Sequence, residues 1–196
     1  MNQFKDYITG ELASSVKVKE SFVNNNVGQI IKAAELMAHV TLNGGKVIYF
    51  GNGGSAADSQ HLAAEHVNKL RVQRRALAAL SITTDTSIIT SVGNDMSFED
   101  IFSRQIEALG SQKDLAIGLS TSGNSANVIL GLKKARQIGM KTLAMIGGSG
   151  GKILQEDLAD IILNVSDSSI SSRIQETHIF TGHILIELMD KILMTK

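Results

Sequence analysis

Lys46–Glu65, KVIYFGNGGSAADSQHLAAE, is the stretch on which the fold turns. Lys46–Phe50 is a short apolar strand, GNGGS is a glycine loop, and a helix is expected from about Ser55, a residue suited to capping it. A strand feeding a glycine loop at a helix start is how chains bind phosphate. Backbone N–H groups lie open there and the helix dipole favours negative charge. His61 and Glu65 follow at i and i+4 on one helical face, so both can address one metal ion or one substrate carbon. Anion site and reactive pair on one element point to an enzyme acting on a phosphorylated small molecule.

Upstream, Asp6 to Leu42 reads as helical, with a break expected near Asn24–Asn26. Ile30, Ile31, Ala34, Leu36, Met37 and Val40 form a broad apolar stripe, and Asn43-Gly44-Gly45 closes the segment. Downstream, strands are predicted at Leu77–Ile82, Asp114–Leu119, Lys141–Ile146 and Asp160–Val165. Between them lie helical patterns near Thr86–Val92, Phe98–Leu109, Ala126–Ile138 and Ile153–Leu158, and a long helix from about Ser172 to Met194 ends the chain. This alternation predicts an α/β fold, a doubly wound five-stranded parallel sheet flanked by helices, with N-terminal helices and a long C-terminal helix. Ligands in such folds bind beyond the carboxyl ends of the strands. GNGGS follows the first strand, SVGND lies beyond the second and STSGNS follows the third, so the three are expected to gather along one sheet edge. No linker, repeat or low-complexity tract divides the chain, and 1–196 is read as one domain.

The 196 residues carry 19 basic and 19 acidic side chains, without the clustered positive charge of a nucleic-acid binder. The nearest basic patch, Arg71, Arg74 and Arg75 after Lys69, reads as a solvated connector or subunit contact. Cysteine is absent, which excludes disulfides and thiolate chemistry. No apolar run approaches the ~18 residues of a membrane span, and the polar start MNQFKDYITGE lacks a signal-peptide core. These features together suggest a cytoplasmic protein with neither nucleic acid nor membrane as partner. Proline is also absent, and no functional account of that follows.

Ser120-Thr121-Ser122-Gly123-Asn124-Ser125 offers four hydroxyls and backbone N–H groups at a helix start. Such clusters also cap helices and turn chains, but four hydroxyls exceed what one cap needs, and phosphate binding is expected. Gly51–Ala56 also fits the dinucleotide pattern G-x-G-x-x-A. That pattern wants an acidic residue about 20 positions on at the next strand end. Asp85 comes too late, and a nicotinamide enzyme would leave STSGNS without a use. The His61–Glu65 pair could be surface decoration, yet an apolar helix beside the anion loop favours function. His66 points roughly 100° away from Glu65 and reads as a bystander. In the last helix, Gln175 and His183 lie about 12 Å apart along the axis and roughly 80° around it. They could share a centre only by leaning together.

GNGGSAADSQHLAAE, VGND, STSGNSANV and RIQETHIFTGHILIEL together closely resemble the bacterial phosphoheptose isomerases, sedoheptulose 7-phosphate isomerases of the sugar-isomerase (SIS) fold. The resemblance runs over essentially the whole chain. It implies that His61, Glu65, Gln175 and His183 fall on zinc-ligand positions, one zinc per subunit. It places Asn52, Gly53, Gly54 and Ser55, with Asn94 and Asp95, on substrate-binding positions that Glu65 and Gln175 share. Ser120, Thr121, Ser122 and Ser125 fall on a phosphate cradle. Glu65 would move the proton between C1 and C2, and His183 would serve the sugar oxygens. The family builds homotetramers with active sites between subunits, for which residues 1–43 are the expected packing segment. The heptose product would feed lipopolysaccharide or capsule. Asn68, Lys69 and Leu70 stand where relatives often have glycine and arginine, and Ser172 where some have an acid; those departures concern the rim.

A rival from another class is a non-catalytic relative, the DnaA initiator-associating protein, which resembles the isomerases but lacks the intact Glu and C-terminal His. This chain keeps Glu65 and His183. A sugar-phosphate-sensing SIS module is the other alternative.

Overall fold

The computed structural model describes residues 2–195, so Met1 and Lys196 of the expected 1–196 unit lie outside it. The elements run α1 (Asn2–Leu42), β1 (Val47–Gly51), α2 (Gly54–Val67), β2 (Ala79–Ser81), α3 (Thr86–Asp95), a 3-10 turn (Phe98–Asp100), α4 (Ile101–Leu109), β3 (Leu115–Ser120), α5 (Ala126–Ile138), β4 (Lys141–Gly147), α6 (Gly151–Gln155), β5 (Ile161–Val165) and α7 (Ser171–Met194). All five strands are parallel, in the order β2-β1-β3-β4-β5. The doubly wound sheet is therefore as expected.

Strand alternation sorts the core into two layers. Val47 and Tyr49 of β1, with Leu115, Ile117 and Leu119 of β3, pack under α1, α2 and α7. Ile48 and Phe50 turn to the other face, against Ile101, Phe102 and Ile106 of α4 and Val128 and Leu132 of α5. Both faces are covered, which is why β1 and β3 are buried along their whole length.

One expectation fails in α1. No break occurs near Asn24–Asn26, and the helix is continuous for 41 residues. The Asn26 amide donates back to the Phe22 carbonyl at 2.8 Å, a bond within the helix that does not divert the backbone. Phe22 and Ile30 are buried on either side of the asparagines and carry the core contact straight through. No helix among the described residues is long and apolar enough to cross a membrane.

Candidate active site

The strand order places β1 beside β3, with the chain winding outward in both directions from that seam. Such a switch point opens a crevice beyond the strand ends. GNGGS leaves β1 there and STSGNS leaves β3. The two loops are tied by a reciprocal amide pair: Asn52 donates to Asn127 Oδ1 at 2.8 Å, and Asn127 donates to Asn52 Oδ1 at 2.9 Å. Ser120 and Ser125 hydroxyls meet at 2.9 Å and close the second loop on itself. Thr121 is half-buried and Ser122 exposed between them.

Ser55 is not the helix cap. Gly53, at φ 55°, takes that position, and Ser55 lies inside α2, buried, its carbonyl accepting from Ser59 Oγ at 2.7 Å. Neither α2 nor α5 has a side chain capping its first turn: the N-cap of α2 is a glycine, and at α5 the Ser125 hydroxyl turns to Ser120 instead. Two helix dipoles thus present N-termini at the seam without a capping carboxylate or hydroxyl, an arrangement suited to an anion.

A third glycine segment braces the cradle. Gly123 (φ +64°) passes so close to Gly150 that a Cβ would run into the Gly150 carbonyl. Asn124 Oδ1 accepts from the Lys152 N–H at 3.0 Å, and Ile153 N–H donates to the Gly123 carbonyl at 3.1 Å. Neither Gly147–Gly151, GGSGG, nor Asn127 is among the site residues expected from the sequence. The available signals were five-residue glycine density and an asparagine on the apolar side of α5.

The reactive groups lie along α2 and α7. His61 Nε2 is 2.9 Å from His183 Nε2 and 3.6 Å from Glu65 Oε1. Gln175 meets the start of α2, where a Cβ at Gly54 would stand 2.5 Å from its Nε2. Gly182 gives Leu62 room where the helices touch. The helices therefore run side by side in the same sense, Gln175 beside Gly54 and His183 beside His61. That parallel docking resolves the awkward angle between Gln175 and His183, since each addresses a different height of α2. Burial and the neighbouring His61 charge push the His183 pKa down, while Glu65 and Glu187 pull it up. The net direction favours a neutral imidazole, able to accept a proton or ligate a metal.

Beneath this face, His66 is buried against Tyr49, and desolvation lowers its pKa to about 4. Asp58, not among the expected site residues, lies on the same helix, its carboxyl pKa raised by burial to about 6 against the opposing pull of His61. The basic segment is not simply solvated. Arg74 pairs with Asp190 at 2.6 Å, both side chains buried, whereas Arg71 reaches Glu187 at 3.0 Å from an exposed position. Lys69 bonds Gln73 on the surface, and Ser172 is exposed in the first turn of α7.

SVGND is not a loop. It forms the second half of α3, where Asn94 and Asp95 are exposed and bond each other at 2.7 Å. No hydrogen bond or ion pair among the described residues joins them to the other two loops.

The SIS domain pattern matches residues 12–147. The phosphoheptose isomerase of Aquifex aeolicus is 50% identical over 177 residues, covering 90% of this chain and 91% of that protein. That of Clostridium acetobutylicum is 44% identical over 189 residues, covering 95% of each. The solved phosphoheptose isomerase from Neisseria gonorrhoeae superposes with a TM-score of 0.89 at 40% identity, over 96% of this chain and 99% of that one. With the uncapped seam and the His61–Glu65–His183 cluster already in place, these likenesses make the chain a member of the SIS-domain phosphoheptose isomerase family.

Proposed function

We propose that this aldose–ketose isomerase interconverts sedoheptulose 7-phosphate and D-glycero-D-manno-heptose 7-phosphate. The observation that carries the reading is one helix, α2, with an uncapped anion-binding start at one end and His61 and Glu65 further along. Gly54 and His61 are separated by about 10 Å along its axis. An open-chain seven-carbon sugar can bridge that span, with its phosphate in the Ser120–Ser125 cradle and its C1–C2 end at the cluster.

The chemistry follows from the ketose. Glu65 takes a proton from C1, and the C–H electron pair forms the C1=C2 enediolate with charge on O2. His183, neutral by burial, carries the hydroxyl proton from O1 to O2. Glu65 then returns its proton to C2, leaving the aldehyde at C1. Atoms and electrons balance without an added redox cofactor.

Zinc, one ion per subunit, belongs to the same reading. His61 Nε2 and His183 Nε2 lie at a hydrogen-bond distance of 2.9 Å, so both imidazoles already stand together, and an ion would take the place of that hydrogen bond. The Glu65 carboxylate would add an oxygen to the two imidazoles, a donor chemistry that suits zinc, while Gln175, the fourth ligand the family resemblance implies, meets the start of α2 within this subunit. When bound, the ion would polarise the carbonyl and hydroxyl oxygens as a Lewis acid.

A homotetramer with sites between subunits is supported by α1, whose first half exposes Phe4, Tyr7, Ile8, Leu12 and Val16. Such an apolar row is what a second copy would cover. A cytoplasmic setting and supply of heptose to lipopolysaccharide or capsule complete the proposal. The test is NMR of sedoheptulose 7-phosphate with the purified protein, with and without a chelator. Conversion is expected, weakened by chelation. No conversion by metal-loaded protein would overturn the reading.

A further inference from the structure

The last turn of a helix holds carbonyls that have no partner within the helix, and it frays unless something else binds them. Glu65 sits in such a turn, since α2 ends at Val67. The following residues, 68–78, contain no helix or strand that could hold it. The Leu77 N–H donates to the His66 carbonyl at 3.1 Å, and the Glu65 carbonyl is held by a side chain from that segment. Arg74 Nη2 donates to the Glu65 carbonyl at 3.0 Å, and Nη1 donates to the carbonyls of His66 at 2.9 Å and Arg75 at 3.2 Å. Its Nε donates to Asp190 Oδ1 at 2.6 Å. The Arg74 side chain is 9% exposed and that of Asp190 3%.

Asp190 lies seven residues after His183 on α7, two turns along the same face. The Arg74–Asp190 couple therefore joins the backbone of Glu65 to the helix that carries His183. We propose that Arg74, anchored by Asp190, is a positioning residue for the Glu65–His183 pair. The inference rests on the isomerase reading, in which those two side chains move protons.

A guanidinium is a rigid fork with five N–H donors, so it can bind two successive carbonyls and a carboxylate at once, which an ammonium cannot. Its charge at a helix C-terminus is favourable. Burying that charge would be costly alone, and Asp190 offsets the cost. Catalytic geometry is intolerant: a displacement of about 1 Å can cost about 100-fold in rate. A frayed last turn moves Glu65 by at least that much.

The test uses Arg74→Lys and Asp190→Asn in the metal-loaded full chain. The lysine keeps a charge for Asp190 but cannot hold both carbonyls. The asparagine keeps an oxygen acceptor but loses the charge that fixes the guanidinium. Three readouts are taken: kcat and KM for sedoheptulose 7-phosphate, thermal midpoint, and amide exchange of residues 62–68 against β3 and β4. In both variants kcat should fall about 30- to 100-fold with KM within about threefold. Exchange should rise in residues 62–68 while β3 and β4 stay protected.

Wild-type kcat in either variant, or unchanged exchange at 62–68, overturns the proposal. So does a joint loss of kcat, KM and β3–β4 protection, which would mean general destabilisation only. Should the lysine variant not fold, the asparagine variant decides. Wild-type protein that fails to turn over sinks the isomerase reading instead, and the exchange arm still judges whether Arg74 holds the helix end.

Discussion

Two segments of similar composition have different fates. STSGNS and SVGND are both short, polar and placed beyond a strand. STSGNS leaves β3 at the seam with β1, is closed by its own serines, braced by Gly150 and tied to the neighbouring loop through Asn52 and Asn127. SVGND follows the edge strand β2 and winds into α3, its Asn94 and Asp95 exposed and bonded only to each other. Composition does not fix where a polar segment ends up. The order of the strands decides which segment stands beside a second helix start, because α2 and α5 both begin at the β1–β3 seam.

Several substitutions would break or sharpen that contrast, beginning with the chemistry the seam serves. Glu65→Gln should lower kcat by about 100- to 10,000-fold in a steady-state assay while the circular dichroism stays that of a folded protein. Retained turnover would take Glu65 out of the mechanism and leave the cradle without a reactive partner.

Gly123→Ala comes next. It forces an alanine into φ +64° and against the Gly150 carbonyl, at a cost of about 1–3 kcal/mol in urea unfolding. Loss of the brace should also raise KM. The equivalent change in the other segment, Gly93→Ala, meets open space in the middle of α3 and should be neutral or slightly stabilising.

Asn127→Ala tests the tie between loops. It leaves the Asn52 amide unpaired and should destabilise by about 1–3 kcal/mol. The Asn52→Ala/Asn127→Ala double variant should cost less than the two single changes added, as a double-mutant cycle on urea midpoints would read.

Acid should loosen the seam before it loosens α3. His66 sits in the last turn of α2, and His178 donates to the Ile146 carbonyl at the end of β4, both buried with pKa lowered to about 4. As pH falls below 6.5 the unfolded chain gains protons that the folded histidines refuse. Each histidine then removes stability at about 1.4 kcal/mol per pH unit until pH approaches 4. Asp58, raised to about 6, acts the other way between pH 6 and its ordinary 3.8, but it is one group against two. Amide exchange at pH 5 and pH 7 should show α2 and the end of β4 losing protection first, since α3 contains no histidine.

Asp95→Asn should matter least, raising KM a few-fold at most, since an amide still accepts from a sugar hydroxyl. A loss as deep as that of Glu65→Gln would show that a neighbouring subunit brings α3 into the reaction centre.

Legibility in the sequence varied with how local the deciding interaction was. The bounds of α5 match expectation at both ends, and Gly139, left-handed at φ 89°, ends it by a signal carried by the residue itself, whereas the Ser125 hydroxyl does not cap the start. Ser55 misled because a better cap, a glycine free to take φ 55°, stood two positions earlier. The asparagines of α1 misled because they bond within the helix while distant contacts with α7 hold it straight. Arg74 looked like one more surface charge. Its partner, Asp190, is 116 positions away, and no spacing rule links the two.

From the residues alone came the alternation of strands and helices, the two glycine-and-hydroxyl loops and the His61–Glu65 face, since periodicity, turn chemistry and i,i+4 spacing act between near neighbours. Only the tertiary structure decided which polar segment joins the seam, that α7 lies parallel to α2 so that His183 meets His61, and that Arg74 bonds the Glu65 carbonyl and Asp190 at once. Those outcomes depend on pairings across the sheet and between helices far apart in the chain, which local physics permits but does not select.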